Sequence, residues 1–154
     1  MSRVIIVPDA GAESDGFELD ARLAGDCLIL GKLDCSLLLL MNNALVPWFI
    51  LVPVTQATEI YQMQKEQQMQ LREEINLLSS FIYSEFSIEK LNVAAIGNIV
   101  KQLHVHVIGR SSTDFCWPGV VWGTDQSEPY SDAEIACIRR SLQSRLKGRI
   151  KLQP

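Results

Sequence analysis

No apolar run in the sequence approaches the ~20 residues that a membrane-spanning helix needs. Residues 37–41 form a run far below that length, and the apolar stretch at the start ends at Pro8, too soon for a secretory signal peptide. Basic residues do not dominate either, since 14 Lys and Arg stand against 18 Asp and Glu, for a net charge of −4. A general nucleic-acid binder needs a strong positive field. The sequence therefore predicts a cytoplasmic protein that binds neither a membrane nor nucleic acid.

Cysteine pairs with C-x-x-C spacing are also missing. The four cysteines are Cys27, Cys35, Cys116 and Cys137. A chain of 154 residues can bury a sufficient core without covalent bridges, so reduced thiols are favoured over a disulfide framework. The same length predicts a single domain over residues 1–154, in which residues 1–16 form a loop or an extended segment.

Short apolar runs predict strands. Five runs are expected to be strands: residues 27–33, 36–41, 48–54, 91–96 and 103–109. Pro53 places the third of them at a strand end or at a sheet edge, because proline cannot donate to a ladder. Gly97 and Asn98 predict a turn between the last two runs, and hence an antiparallel hairpin.

Helical spacing of apolar residues appears in three segments. Residues 17–26 predict a short helix, and residues 58–86 predict a long one, with residues 58–63 as a separate first helix. The buried face of the long helix is expected to carry Leu71, Ile75, Leu78 and Ile82. Ser131 and Glu134 form a capping box that opens a C-terminal helix. Short connections between strands imply antiparallel pairing, so the prediction is an α+β domain: an antiparallel β-sheet, a long helix packed on it and a C-terminal helix.

Two histidines, separated by one residue, are the only ones in the chain. Side chains alternate along a strand, so one face carries Gln102, His104, His106 and Ile108, and the other carries Leu103, Val105 and Val107. The aliphatic face belongs in a core, which turns both imidazoles to the opposite side. Such a pair can supply a nucleophile and a donor to developing negative charge. For an isolated H-x-H sequence, two ordinary strand histidines are the commoner case; the surrounding residues argue otherwise.

The surrounding residues resemble the signature of a known family. Residues 97–108 alternate histidine with hydrophobic residues, as the histidine triad signature does. Residues 117–119, Trp-Pro-Gly, resemble the segment that follows the signature in one branch, and residues 48–53 resemble the family's strand that ends in proline before the long helix. The resemblance covers residues 37–119, with the order of elements preserved. Within the histidine triad (HIT) family, the chain looks most like the bacterial hydrolases similar to diadenosine tetraphosphate hydrolases, which implies a HIT-like fold.

The resemblance implies a nucleotide hydrolase or transferase that acts at the α-phosphate of a dinucleoside polyphosphate or a nucleoside phosphoramidate. His104 matches the histidine that attacks phosphorus and forms a nucleotidyl-histidine intermediate. His106 matches the histidine that contacts the phosphate. Gln102 replaces the first histidine, which orients its neighbours, so a weakened site is expected. Ile99 replaces a serine or threonine whose hydroxyl is thought to assist the leaving group, so its presence is expected to slow turnover or to change the favoured leaving group.

Four further residues match ligand contacts of relatives: Asn42, Asn92, Gly97 and Asn98. Asn42 lies near the ribose-binding position, and Asn92 lies near a polar ligand contact. Asn98 follows the signature glycine, Gly97, where its amide could meet phosphate oxygens. The ordinary alternatives are turn residues for Asn42 and Asn98 and a polar strand position for Asn92. Trp48 stands where relatives often carry an extra histidine, so that contact is expected to be lost and the indole to pack in the core.

Two other functions remain open. The H-x-H pair could supply two zinc or iron ligands, with Asp114 or Cys116 as a third. Alternatively, the chain binds nucleotides but has lost catalysis through Gln102 and Ile99. The implied mechanism needs no metal or cofactor, and relatives are usually homodimers. The expectation is therefore a homodimer that binds a small-molecule nucleotide substrate and holds no metal and no cofactor.

Overall fold

A six-stranded antiparallel sheet forms the centre of the computed structural model, which describes residues 16–153. The strands are β1 (Cys27–Lys32), β2 (Ser36–Met41), β3 (Trp48–Pro53), β4 (Lys90–Ala94), β5 (Val105–Arg110) and β6 (Lys151–Leu152). They lie in the order β4-β5-β3-β2-β1-β6. This order makes β5, the strand with His106, an inner strand between β4 and β3.

The helices are α1 (Ala21–Asp26), α2 (Lys65–Glu85) and α3 (Asp132–Arg145), with a single 3₁₀ turn at Ile60–Gln62. The α2 and α3 helices share one apolar cluster with one face of the sheet. That cluster includes Leu71, Leu78, Ile138, Leu142, Phe49 and Val107. The predicted α+β architecture, with a long helix on an antiparallel sheet and a C-terminal helix, is confirmed.

The β3 strand is apolar at every position because both of its faces are covered. Phe49 and Leu51 belong to the cluster under α2 and α3. Trp48 and Ile50 belong to a second cluster on the opposite face, which also holds Leu23 of α1. Pro53 ends β3, as predicted. The alternative of a sheet edge is wrong, because β3 pairs with β2 and β5.

Two predicted boundaries move for identifiable reasons. The short helix begins at Ala21, and not at residue 17, because the Asp20 carboxylate caps it by accepting a hydrogen bond of 2.8 Å from the Arg22 backbone nitrogen. The strand with the histidines begins at Val105, so His104 lies directly before the strand and not within it. Its backbone pairs with neither neighbouring strand, since the ladder to β3 ends at Val105.

The predicted hairpin of β4 and β5 is antiparallel, and residues 95–104 connect its strands, four residues more than the predicted connection over residues 97–102. The longer connection forms a loop, and Gly97 and Asn98 in this loop lie near His104. The long helical region divides as predicted into a short 3₁₀ turn and α2. Ser131 caps α3 through the predicted box with Glu134.

All four cysteines are free thiols, which agrees with the expectation of reduced cysteines. No helix among residues 16–153 is both long enough and apolar enough to span a membrane. Apart from Gly16, the loop predicted for residues 1–16 lies outside the described residues. The single domain over residues 1–154 stays a prediction.

Candidate functional site

The two imidazoles lie side by side at the start of β5. Their ring centroids are 4.9 Å apart, and the ring planes are inclined by 74°. Leu103, Val105 and Val107 point into the opposite cluster, under α2. Period-two alternation therefore continues across the strand boundary, and the predicted placement of His104 and His106 on one side is confirmed.

The tautomer of His104 follows from its backbone contact. Its Nδ1 lies 2.6 Å from the carbonyl oxygen of Gln102. A carbonyl oxygen can only accept, so Nδ1 carries the proton and donates it. In the neutral ring, Nε2 of His104 therefore keeps its lone pair, which is the state that a nucleophile requires.

His106 has the opposite tautomer. The indole Nε1 of Trp48 donates a hydrogen bond of 2.9 Å to Nδ1 of His106. Because an indole N–H is only a donor, Nδ1 of His106 is an acceptor and the proton lies on Nε2. Burial, with the neighbouring charge of His104, lowers the pKa of His106 to about 4. His106 is thus a neutral Nε2–H donor at neutral pH.

The Nε2 atoms of both rings remain available to a ligand. His104 is 6% exposed and His106 is 5% exposed, so only an edge of each ring is open. Within residues 16–153, neither Nε2 atom has a hydrogen-bond partner. Among those residues, Trp122 Nε1 is the one fully buried side-chain nitrogen that has no hydrogen-bond partner. Because the two histidine Nε2 atoms also have no partner, they are not fully buried.

Two tryptophans surround His106. The rings of Trp48 and Trp122 lie 5.7 and 5.2 Å from the His106 ring, and 5.9 Å from each other. The predicted core packing of Trp48 is confirmed, since it is buried. The indole N–H of Trp48 binds His106, so this position still contacts the site; the loss of the extra histidine's own contact stays a prediction. Trp122 lies in an irregular loop, where no periodicity in the sequence could have indicated its role.

A cavity of about 530 Å³ adjoins His104. Its lining includes four residues predicted for the site: His104, Gln102, Gly97 and Asn98. Lys101 also lines it and adds a positive charge that sequence reasoning missed. The volume is within the range of small-molecule sites, and the lining offers amide, ammonium and imidazole donors together with the Glu59 carboxylate.

A second cavity, of about 360 Å³, is lined by Asn42, Trp48 and Trp122. Both tryptophans contact His106. The first cavity therefore adjoins His104 directly, and the second lies next to the rings that pack on His106. Asn42 is exposed, and its Oδ1 accepts a hydrogen bond of 3.0 Å from the Tyr130 backbone nitrogen. Its predicted place beside a ligand pocket is consistent with this geometry.

The Gln102 side chain forms its hydrogen bonds away from His104. Its Nε2 donates to the Glu18 carbonyl oxygen at 2.8 Å, and its Oε1 accepts from the Asp20 backbone nitrogen at 2.9 Å. Gln102 therefore orients His104 through its backbone carbonyl, whereas its side chain fastens the segment before α1.

Asn92 lines neither cavity. Its Oδ1 accepts a hydrogen bond of 2.9 Å from Arg110, which is buried and also forms an ion pair of 2.7 Å with Asp114. A second Arg110 nitrogen donates to the Gly119 carbonyl oxygen at 2.8 Å. Arg110 thus connects β4 to the loop after β5, and the structure places Asn92 in this network. Spacing alone gave no signal for it.

The third ligand that a metal site would need is not provided. Within the described residues, no group of three His, Cys, Asp or Glu side chains is arranged to hold a metal ion. Asp114 is paired with Arg110, and Cys116 lies 3.5 Å from the same guanidinium. These contacts oppose the alternative of a zinc or iron site at His104 and His106.

Comparison with known proteins places the chain in a family. The model of the HIT domain matches residues 23–113. A histidine triad protein from Marinobacter aquaeolei VT8 is 42% identical, with a TM-score of 0.81 over 86% of this chain and 98% of that chain. A histidine triad protein from Sinorhizobium meliloti 1021 is 37% identical, with a TM-score of 0.82 over 86% of this chain and 99% of that chain. A third, from Bradyrhizobium japonicum, is also 37% identical, with a TM-score of 0.80 over 83% of this chain and 96% of that chain.

No curated protein matches the chain. The family match covers more than half of the chain, and the solved relatives match nearly their whole length. The chain therefore belongs to the histidine triad (HIT) family, whose members are generally nucleotide-binding hydrolases or transferases.

Proposed function

We propose that the protein cleaves a nucleotide conjugate at its α-phosphate through a nucleotidyl-histidine intermediate on His104. The substrate class is a dinucleoside polyphosphate or a nucleoside phosphoramidate, as in the branch similar to diadenosine tetraphosphate hydrolases. One observation carries the proposal: the Gln102 carbonyl holds the proton of His104 on Nδ1, which leaves a lone pair on Nε2 beside a cavity of about 530 Å³.

The chemistry runs in two displacements. Nε2 of His104 forms a bond to the α-phosphorus while the bond from phosphorus to the leaving group breaks, and the leaving group departs with the electron pair. Water then forms a P–O bond and the N–P bond breaks, which returns the lone pair to Nε2. One proton of the water goes to solvent or to the departed group. A covalent intermediate divides one difficult displacement into two easier ones.

The other residues of the site stabilise charge and bind the two ends of the substrate. His106 donates from Nε2 to a non-bridging oxygen, where a positioned donor lowers the barrier most. Asn98 and Lys101, at the larger cavity, bind the leaving-group side, and the backbone at Gly97 lets the chain approach the phosphate. Asn42, in the cavity between Trp48 and Trp122, binds the nucleoside, whose base can stack on an indole.

Hydrolysis of adenosine phosphoramidate and of diadenosine tetraphosphate by purified protein tests the proposal. His104→Ala should reduce turnover to the detection limit while circular dichroism shows that the fold is retained. Gln143→Ala, an exposed change on α3, is the matched control and should retain full turnover. Equal activity of His104→Ala and the wild type would remove His104 from its role.

The loss of a hydroxyl at Ile99 favours a second candidate, a nucleotide-binding protein without turnover. Ile99 is 73% exposed in the loop before the histidines and offers no polar atom to a leaving group. Calorimetric binding of a nucleotide, with no product after prolonged incubation, would establish this candidate and refute the hydrolase.

The homodimer, the cytoplasmic location and the lack of a cofactor belong to the same proposal. The four free cysteines fit a reducing compartment. Sedimentation equilibrium should give twice the mass of the 17.3 kDa chain. A mass of one chain at micromolar concentration would contradict the dimer.

A further inference from the structure

We propose that Trp48 is a positioning residue that fixes His106 as the neutral tautomer with its proton on Nε2. The consequence for catalysis rests on the proposed function. The assignment of the tautomer itself rests on the geometry of the Trp48–His106 pair, and it holds or fails whether or not the protein is a hydrolase.

The pair is set by the sheet. Trp48 lies opposite Ile108, and Ile50 lies opposite His106, in the ladder between β3 and β5. Trp48 and His106 are therefore diagonal neighbours on the same face of adjacent strands, within reach for long side chains. The Nε1–Nδ1 distance of 2.9 Å joins two buried side chains that are 58 residues apart in sequence. Trp48 lies on β3 and His106 on β5, and each of these strands is paired on both sides. The two side chains therefore have little freedom to form other hydrogen bonds.

The chemistry of the donor makes the assignment definite. An indole N–H has no acceptor function, so the Trp48 bond exists only while Nδ1 of His106 has a free lone pair. In the other tautomer and in the cation, Nδ1 of His106 carries a proton. Its N–H would then point at the N–H of Trp48, and two buried donors would face each other without an acceptor. Leaving a buried donor unsatisfied costs about 1–3 kcal/mol. The Trp48 bond therefore disfavours both of these states.

Within residues 16–153, the remaining surroundings of His106 supply no counter-charge. In the ladders, its neighbours are Ile50 on β3 and Ala94 on β4. Trp48 and Trp122 pack against its ring. Among the described residues, His104 is the ionisable group whose charge acts on it, and a second imidazole opposes protonation.

The two histidines are thereby given different roles by two different neighbours. The Gln102 carbonyl assigns a proton to Nδ1 of His104 and leaves Nε2 bare. The Trp48 indole assigns a lone pair to Nδ1 of His106 and leaves a proton on Nε2. Nucleophile and hydrogen-bond donor are thus fixed before a substrate binds, and His106 remains a donor without a change of charge over the neutral pH range.

Long-range ¹H–¹⁵N NMR of the imidazole nitrogens tests the inference on the full chain without substrate. The chain has only two histidines, so His104→Gln leaves one ring system and assigns both. In the wild type, His106 should show a protonated Nε2 and an imine-like Nδ1 from pH 5 to 8. A protonated Nδ1, or a cation at pH 6, would overturn the inference.

Trp48→Phe removes the N–H and keeps an aromatic ring. We expect His106 to show both tautomers in this variant, and its titration midpoint to rise by about one pH unit. Trp122→Phe is the matched control, because it removes an indole from the same ring cluster that makes no hydrogen bond to His106; it should leave the tautomer unchanged. An unchanged His106 spectrum in Trp48→Phe would refute the positioning role.

Kinetics complete the test. In a hydrolysis assay, Trp48→Phe should lower kcat about tenfold and change KM by less than twofold. The acid limb of its plot of kcat against pH should shift to higher pH. A purely structural role predicts lower stability with the same pH profile. If Trp48→Phe fails to fold, the wild-type spectrum still decides the tautomer.

Discussion

The backbone carbonyl of Gln102 binds Nδ1 of His104 at 2.6 Å, while the Gln102 side chain faces the other way, toward the segment before α1. The first position of the signature thus acts on the nucleophile through an atom that every residue possesses. This geometry explains how a glutamine can replace the first histidine without removing the lone pair from His104. The replacement affects the docking of residues 18–20 more directly than it affects the chemistry.

Gln102→Ala should therefore destabilise the fold more than it slows the reaction. It removes two hydrogen bonds, to Glu18 and Asp20, each worth about 0.5–1.5 kcal/mol. The free energy of unfolding in urea should fall by about 1–3 kcal/mol, and kcat should stay within threefold. A hundredfold loss of kcat at unchanged stability would show that the side chain, and not the backbone, orients His104.

A hydroxyl at position 99 should increase turnover. Ile99→Thr and Ile99→Val are nearly isosteric, so their comparison isolates the hydroxyl. One added hydrogen bond to the leaving group corresponds to about a tenfold increase in kcat. Because Ile99 is 73% exposed, both variants should unfold within about 0.5 kcal/mol of the wild type. Equal kcat for threonine and valine would mean that the loop does not present this side chain to the leaving group.

The pH dependence of stability should reveal the buried neutral His106. Its pKa is about 4 in the folded chain and near 6.5 when exposed, so between these values the unfolded chain binds a proton that the folded chain does not. The free energy of unfolding should fall by about 3 kcal/mol as the pH drops from 6.5 to 4. Below pH 4 the loss of stability is complete, because His106 then binds a proton in both states. Urea unfolding at intervals of pH measures it.

The control for this prediction is His106→Gln, which lacks the titrating ring. Its stability should depend less steeply on pH between 4 and 6.5, whatever its absolute stability. Parallel curves for the wild type and His106→Gln would show that His106 does not titrate as a buried neutral group.

Asn92→Ala should act on stability. Its Oδ1 accepts a hydrogen bond from the buried Arg110, and bonds to charged groups contribute about 1.5–3 kcal/mol. The free energy of unfolding should fall by that amount while KM stays within twofold. Asn42→Ala, whose side chain lines the cavity at Trp48, is the contrasting variant and should raise KM. A tenfold rise of KM in Asn92→Ala would restore the ligand contact that the sequence suggested.

Local patterns predicted the parts of this molecule that depend on local physics. Alternation along a strand placed His104 and His106 on one side, and the Ser131–Glu134 box located the start of α3. Both follow from backbone periodicity or from side chains three residues apart. The boundary before His104 was missed because it depends on where the ladder to β3 ends.

Contacts between distant segments were not predictable in the same way. The bond from Trp48 to His106 exists because β5 lies beside β3, and one sequence does not give that strand order. Glu74 illustrates the same limit, since it is buried on α2 where Cys35, in the turn before β2, donates to it from its backbone nitrogen at 2.7 Å and from its thiol at 3.1 Å. Composition and periodicity contain no information on such partners.

The covalent intermediate is the central claim, and rapid quenching in base tests it most directly. Protein mixed with substrate for milliseconds, quenched and digested should yield one peptide that carries a nucleotide monophosphate on His104, and His104→Ala should yield none. A turning-over enzyme with no modified peptide under base quench, where phosphohistidine survives, or a nucleotide on His106 instead, would contradict the mechanism.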